Sequence, residues 1–358
     1  MLHCLNEFEM LPFDELHRQI DAIRQRFGER LLILGHHYQK EEIVVHTDLR
    51  GDSFQLSAEA AANRACETIV FCGVHFMAET ADILANADGQ RAAVVIPDPA
   101  AGCAMADMAT RIQVEQAWSR LAGVVDVADL VPVTYVNSSA ELKAFCGRNG
   151  GVACTSTNAR AVLDWAFSQK SRVFFFPDQH LGRNTALAMG VPESEIVLWN
   201  ENTDPDAFRS ARIILWNGYC GVHQKFLPEH VESVRKSHPG IRVIVHPECC
   251  REVVERADES GSTSRILDRI AASPEGAQWA VGTESRLVER LVTMFPTKTI
   301  LNLSPAPSYC ETMDLITLPK LARSLGQIEA GTPDNVVRVA PETAKDAILC
   351  LQRMLSCR

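Results

Sequence analysis

Short apolar runs recur along this chain, and each ends in reactive polar residues: ILGHHYQ, VFCGVHFMAET, VTYVNSSAE, ACTSTNA, FFFPDQHLGR, ILWNGYCGVH, VIVHPECC and AVGTE. Runs this rich in Val, Ile, Leu and Phe predict strands buried on both faces, as in parallel sheets. Helix-like segments separate them. FQLSAEAAANRA comes after LLILGHH, MAETADILANA after TIVFCGV, SSAELKAFCGRN after VPVTYVN, and TNARAVLDWAFSQ after GVACTS. HLGRNTALAMG comes after RVFFFPD, CCREVVERADES after RVIVHPE, and SRLVERLVTMF after QWAVGTE. AAVVIPD, EIVLWN, RIILWNG and KTILNL complete the strand series. This β-α repetition predicts an α/β protein with parallel sheets. About ten or more strands exceed a simple eight-stranded barrel, which leaves one large sheet or several small ones. Ligands of parallel α/β sheets sit beyond the carboxyl ends of the strands, so the polar tips are where an active site is expected.

Composition narrows the class. With 46% apolar and 22% charged residues the chain reads as globular, and 358 residues suffice for two or three domains. PDPAAG, NENTDPDAF and NLSPAPS are the best punctuation. The formal charge is -10 with no Lys/Arg cluster, which argues against nucleic-acid or membrane partners and leaves small anionic substrates open. MLHCLNEFEMLPF lacks a basic segment followed by an apolar core, and no apolar stretch approaches the roughly 20 residues that span a bilayer, so a cytoplasmic location is expected. In such a chain, 12 cysteines point to metal binding, catalysis or burial rather than disulfides. Cys66, Cys72 and Cys146 lie in or beside apolar elements and read as packing; Cys4, Cys350 and Cys357 lie near the termini.

The tips then divide by chemistry. Cys103, Cys220 and Cys310 each lie on a turn after a strand, with Gly or Pro nearby. Three thiolates meeting at one point would hold a metal or iron–sulfur cluster, but without a CxxC pair unrelated buried cysteines are the commoner case. His246 and Glu248 are two apart at a strand end and lean the same way, which suits acid–base work or metal ligation; a structural His beside a capping Glu is the alternative. Vicinal Cys249 and Cys250 read as helix packing. Ser262 and Thr263, in GSTS, run into an amphipathic helix whose free N–H groups suit phosphate or carboxylate, although an ordinary N-cap is commoner. His36 and Tyr38 share one side of a strand end, where they can position and protonate a carbonyl. Asp52 and Ser53 sit at a helix start with a capping alternative. Tyr135, Asn137, Ser156, Asp178 and His180 are polar tips that together would line a site for a small polyanion, each with a loop or cap alternative.

Taken together, HHYQ, GDSFQLS, GVHFMAETADIL, AGCAMADM, PVTYVNSSAELKAFCGRNGG, CTSTNA, PDQHLGRN, CGVH, HPECCREVVERAD, GSTS, GTE and CETM, in this order from Leu31 to about Leu318, closely resemble the quinolinate synthase family of bacterial NAD biosynthesis. The resemblance implies three similar α/β/α lobes with small parallel sheets in a pseudo-threefold arrangement. Residues 25–112, 113–215 and 216–318 would form the lobes, with 1–24 and 319–358 as terminal helical segments packing on them. It implies one [4Fe–4S] cluster held by Cys103, Cys220 and Cys310, with the fourth iron open as a Lewis acid. The family's reaction condenses iminoaspartate with dihydroxyacetone phosphate to quinolinate, with loss of phosphate and two waters.

Roles carry over by motif. His36 and Tyr38 would bind substrate carboxylate and handle protons. Ser53, Asn137 and Ser156 would bind substrate, and Tyr135 would be a catalytic or gating tyrosine. His223 follows the second cysteine at the family spacing. His246 and Glu248 match the His-Pro-Glu motif, with Glu248 the main general base, and Ser262 and Thr263 match the phosphate- or carboxylate-binding turn. Lobe closure would expel water, and a transient contact with L-aspartate oxidase is an expected partner interaction. Two departures stand out: Thr157 replaces a second Ser of many relatives, and Tyr309 precedes Cys310 where many relatives have another cysteine nearby. Competing readings are a mononuclear metal hydrolase or aldolase using His36, His246 and Glu248, and an iron–sulfur redox sensor with four protein ligands.

Overall fold

The structure is a computed structural model that describes residues 7–63, 65–87, 89 and 92–357. The apolar runs form three separate sheets. The first contains β1 (Leu31–His36), β2 (Leu49–Gly51), β3 (Thr68–Cys72), β4 (Ala93–Val95) and β14 (Val336–Val337), in the order β14-β4-β3-β1-β2. The second contains β5 (Leu130–Tyr135), β6 (Val152–Cys154), β7 (Arg172–Phe176), β8 (Ile196–Leu198) and β9 (Ile213–Leu215), in the order β6-β5-β7-β9-β8. The third contains β10 (Arg242–Val245), β11 (Glu259–Ser260), β12 (Gln278–Gly282) and β13 (Thr299–Asn302), in the order β11-β10-β12-β13.

Among the described residues, every strand pairing is parallel except β14 against β4. β1, β3 and β5 are buried at every residue, which explains their unbroken apolar sequence. One strand order recurs. The first strand of each sheet has the second on one side and the third on the other, and another strand lies beyond the third. The order therefore reverses beside β1, β5 and β10, which creates the crevice where open α/β sheets bind ligands.

The chain divides into two compact units, Met1–Cys103 with Cys310–Ala340, and Ala104–Tyr309 with Pro341–Arg358. The first holds the first sheet and the second holds the other two. In the first unit, helix Phe13–Phe27 buries Leu16, Ile20 and Ile23, an i, i+4, i+7 stripe, and packs against helix Leu318–Glu329. In the second, the C-terminal helix Pro341–Ser356 lies against helix Ala140–Arg148. A Cβ at Gly147 would stand 1.9 Å from the Asp346 carbonyl oxygen, so only glycine permits this approach. Asn158 Nδ2 donates to the Met354 and Cys357 carbonyls and caps that helix. No helix among the described residues is long and apolar enough to cross a membrane.

Candidate active site

The repeated strand order puts the candidate residues at matching places. His36 and Tyr135 end β1 and β5, and His246 directly follows β10; Tyr38, Asn137 and Glu248 each stand two residues further on. Ser53, Ser156 and Ser262 each stand two residues after the second strand of their sheets. Cys103, Cys220 and Cys310 occupy the loops after β4, β9 and β13.

In the second unit these tips meet. Tyr135 donates its phenolic hydrogen to Glu248 Oε1 at 2.5 Å. His223 Nδ1 lies 2.8 Å from Glu248 Oε2, and its Nε2 lies 3.2 Å from the Thr283 hydroxyl. With Glu248 ionised, His223 Nδ1 carries the hydrogen and donates it. The His246 ring stacks on His223 at 4.4 Å, and its Nδ1 lies 3.3 Å from the Glu248 amide nitrogen. Glu248 is only 3% exposed. Burial alone would raise its carboxyl; His246 and His223, with the hydrogen bonds from His223 and Tyr135, outweigh burial and hold it well below the usual carboxylate range.

The turn after β5 is locked by its own hydroxyls. Ser138 Oγ donates to the Tyr135 carbonyl and accepts from Thr134, while the fully buried Lys143 donates to the Ser138 carbonyl. This turn presents Asn137, whose Oδ1 is buried and finds no hydrogen-bond partner among the described residues. A buried unpaired amide oxygen is what a ligand-binding position looks like before its ligand arrives. Ser156 is half-buried in the turn after β6, and the departure Thr157 is exposed beside it.

The capping alternatives hold for several residues. Asp52 caps helix Ser53–Ala62 reciprocally with Gln55, and Ser262 Oγ accepts from the Arg265 amide at the start of helix Thr263–Ala271. Asp178 accepts from the Leu181 amide, but it is fully buried and its Oδ2 has no partner among the described residues. Burial, followed by the nearby Glu248, pushes the Asp178 carboxyl well above its ordinary value. Burial and then Arg183 push His180 down.

In the first unit, His36 and Tyr38 pack edge to face at 4.5 Å, and His36 Nδ1 accepts from the Tyr38 amide. They share one side of the strand end, as their spacing predicts.

None of the described cysteines is in a disulfide. Cys66, Cys72, Cys146, Cys154, Cys249, Cys350 and Cys357 are buried, as packing residues should be. Burial pushes Cys72 up to about 12 and Cys146, Cys154 and Cys249 well above the ordinary thiol value. Cys103, Cys220 and Cys310 are half-buried, a property shared only with Cys250 among the described cysteines, and burial also raises Cys250. Cys4 lies outside the described residues. The Cys220 sulfur, a His223 ring nitrogen and a Glu248 oxygen lie within 4.8 Å of one another, a donor set compatible with a metal cofactor. Tyr309 takes a surface role: its hydroxyl donates to Glu289, and Arg286 covers its ring at 4.2 Å.

Residues 18–356 match the family described as quinolinate synthetase A protein. The chain belongs to the quinolinate synthase family. Among its relatives, the quinolinate synthase of Rhodopirellula baltica is 53% identical, with 99% of this chain and 94% of the relative covered. That of Bacillus mycoides is 47% identical over 97% of this chain and 95% of the relative, and that of a Bacillus cereus strain is 47% identical over 96% and 93%. Membership in this enzyme family favours the first reading of the sequence over the hydrolase and sensor readings. Thr283 is the site residue that the sequence reading passed over. Its only sequence signal was its place in GTE directly after β12, the third strand of its sheet.

Proposed function

We propose that the chain condenses iminoaspartate with dihydroxyacetone phosphate to quinolinate, phosphate and water, as a step of NAD biosynthesis. The observation that carries this reading is the buried Tyr135–Glu248–His223–Thr283 network in a member of the quinolinate synthase family. Cys103, Cys220 and Cys310 would supply three thiolates to a [4Fe–4S] cluster; their matching loops and partial exposure support the assignment. When bound, such a cluster with one iron free of protein ligands supplies a Lewis acid to substrate oxygen.

The protein's own groups manage the protons. Glu248 is ionised through the neutral range and already accepts on both oxygens. A substrate proton therefore reaches it through Tyr135: the phenol oxygen accepts that proton while the phenol passes its own to Glu248 Oε1. His223 donates from Nδ1 to the carboxylate at Oε2, and the Thr283 hydroxyl keeps its ring in place. Asn137 and Ser156 offer polar atoms to substrate, and His36, Tyr38 and Ser53 take the corresponding role from the first sheet. Ser262 and Thr263, at a helix start, suit the phosphate or a carboxylate.

The test is to incubate anaerobically purified, cluster-loaded protein with dihydroxyacetone phosphate and freshly generated iminoaspartate. Quinolinate and one phosphate per turnover are expected. Phosphate release without a pyridine product would contradict the reading.

A further inference from the structure

Three successive backbone carbonyls around Glu248 lie outside any sheet or helix and need partners, because buried carbonyls are costly to leave unpaired. Side-chain amides supply all three. Asn184 Nδ2 donates to the Pro247 and Cys249 carbonyls, both at 2.9 Å. Gln224 Nε2 donates to the Glu248 carbonyl at 3.2 Å.

The two amides come from different elements. Asn184, 9% exposed, belongs to helix Gln179–Ala188, which follows β7 of the second sheet. A Cβ at Gly182 would stand 2.6 Å from Leu215 and 2.8 Å from Phe175, so this helix lies tightly on its sheet. Gln224 is the neighbour of His223 in the turn after Cys220. Glu248 thus carries donors on its carboxylate from Tyr135 and His223, while its backbone is gripped from the same two neighbourhoods.

We propose that Asn184 and Gln224 are positioning residues for Glu248, holding the carbonyls of Pro247, Glu248 and Cys249 so that the Glu248 carboxylate meets Tyr135 and His223 together. This rests on the reading of Glu248 as the proton acceptor. Catalytic geometry is sensitive at this scale, since a misplacement of about 1 Å from a change away from the chemistry can cost about 100-fold. Asn184→Leu keeps the branched outline of the side chain and removes both donated hydrogen bonds.

The experiment is a double-mutant cycle in the cluster-loaded full-length protein, with Asn184→Leu and Glu248→Gln, reading kcat and KM for quinolinate formation. Asn184→Leu alone is expected to lower kcat about 10- to 100-fold with KM nearly unchanged. In the Glu248→Gln background the same change is expected to lower the residual kcat less than about 3-fold, because the group being positioned is already gone. An equal loss in both backgrounds would show that Asn184 serves only the fold, and it overturns the proposal while leaving the proton-acceptor reading intact. Wild-type kcat in Glu248→Gln itself overturns that reading and the clamp with it. If Asn184→Leu does not fold, Gln224→Ala, at a half-buried position, goes through the same cycle with the same criteria.

Discussion

Tyr135, the last residue of β5, donates its phenolic hydrogen to Glu248, three residues past β10, across 2.5 Å. One strand end belongs to the second sheet and the other reaches in from the third. The contact joins residues 113 positions apart, and it couples the phenol to the carboxylate through one hydrogen bond.

That coupling makes the two residues non-additive. Glu248→Gln and Tyr135→Phe should each lower kcat about 100- to 10,000-fold, the usual range for a general acid–base group. The double variant should be little worse than the poorer single one. Steady-state rates on cluster-loaded protein check this, and losses that multiply would show two independent roles.

Asp178 gives a pH-dependent prediction. Its folded-state pKa is raised, by burial first and then by Glu248. A raised acid contributes stability that is fully present below its unfolded value, about 3.9, and is lost as pH rises through the folded value. Asp178→Asn keeps the oxygen that accepts from the Leu181 amide and removes the ionisation. The thermal midpoint of Asp178→Asn relative to wild type should therefore climb between pH 5 and pH 8. A difference that stays flat or falls contradicts an upward shift of the Asp178 carboxyl.

Gly147 tests the seat of the C-terminal helix. A side chain there meets the Asp346 carbonyl at 1.9 Å, so Gly147→Ala must lift helix Pro341–Ser356 off helix Ala140–Arg148. Overpacking of this kind costs about 1–3 kcal/mol. The melting temperature should fall, and amide exchange should quicken first in residues 341–356. Unchanged melting and exchange would contradict the close packing.

The sequence made the central strands legible because burial on both faces leaves no alternation: TIVFC and VFFF cannot be mistaken for surface segments. It did not reveal β2, β11 or β14. Leu49–Gly51, Glu259–Ser260 and Val336–Val337 are pieces of two or three residues at the sheet edges, too short for a period to register, and the last adds a strand to a C-terminal segment read as helical. At the site, pairs two apart at strand ends were readable because alternation fixes their side, as with His36 and Tyr38. Asn184 and Gln224 were not. A polar residue in a helix or turn looks like ordinary surface until the carbonyls it reaches are known.

Exposure sets Cys103, Cys220, Cys310 and Cys250 apart from the seven other described cysteines, which are buried. The most direct measurement is iron and acid-labile sulfide per chain in anaerobically purified wild type, Cys310→Ser and Cys146→Ser. Wild type and Cys146→Ser should hold about four of each, while Cys310→Ser should lose both together with quinolinate formation. Full loading in Cys310→Ser, or metal without sulfide in the wild type, would contradict a cluster held by Cys103, Cys220 and Cys310.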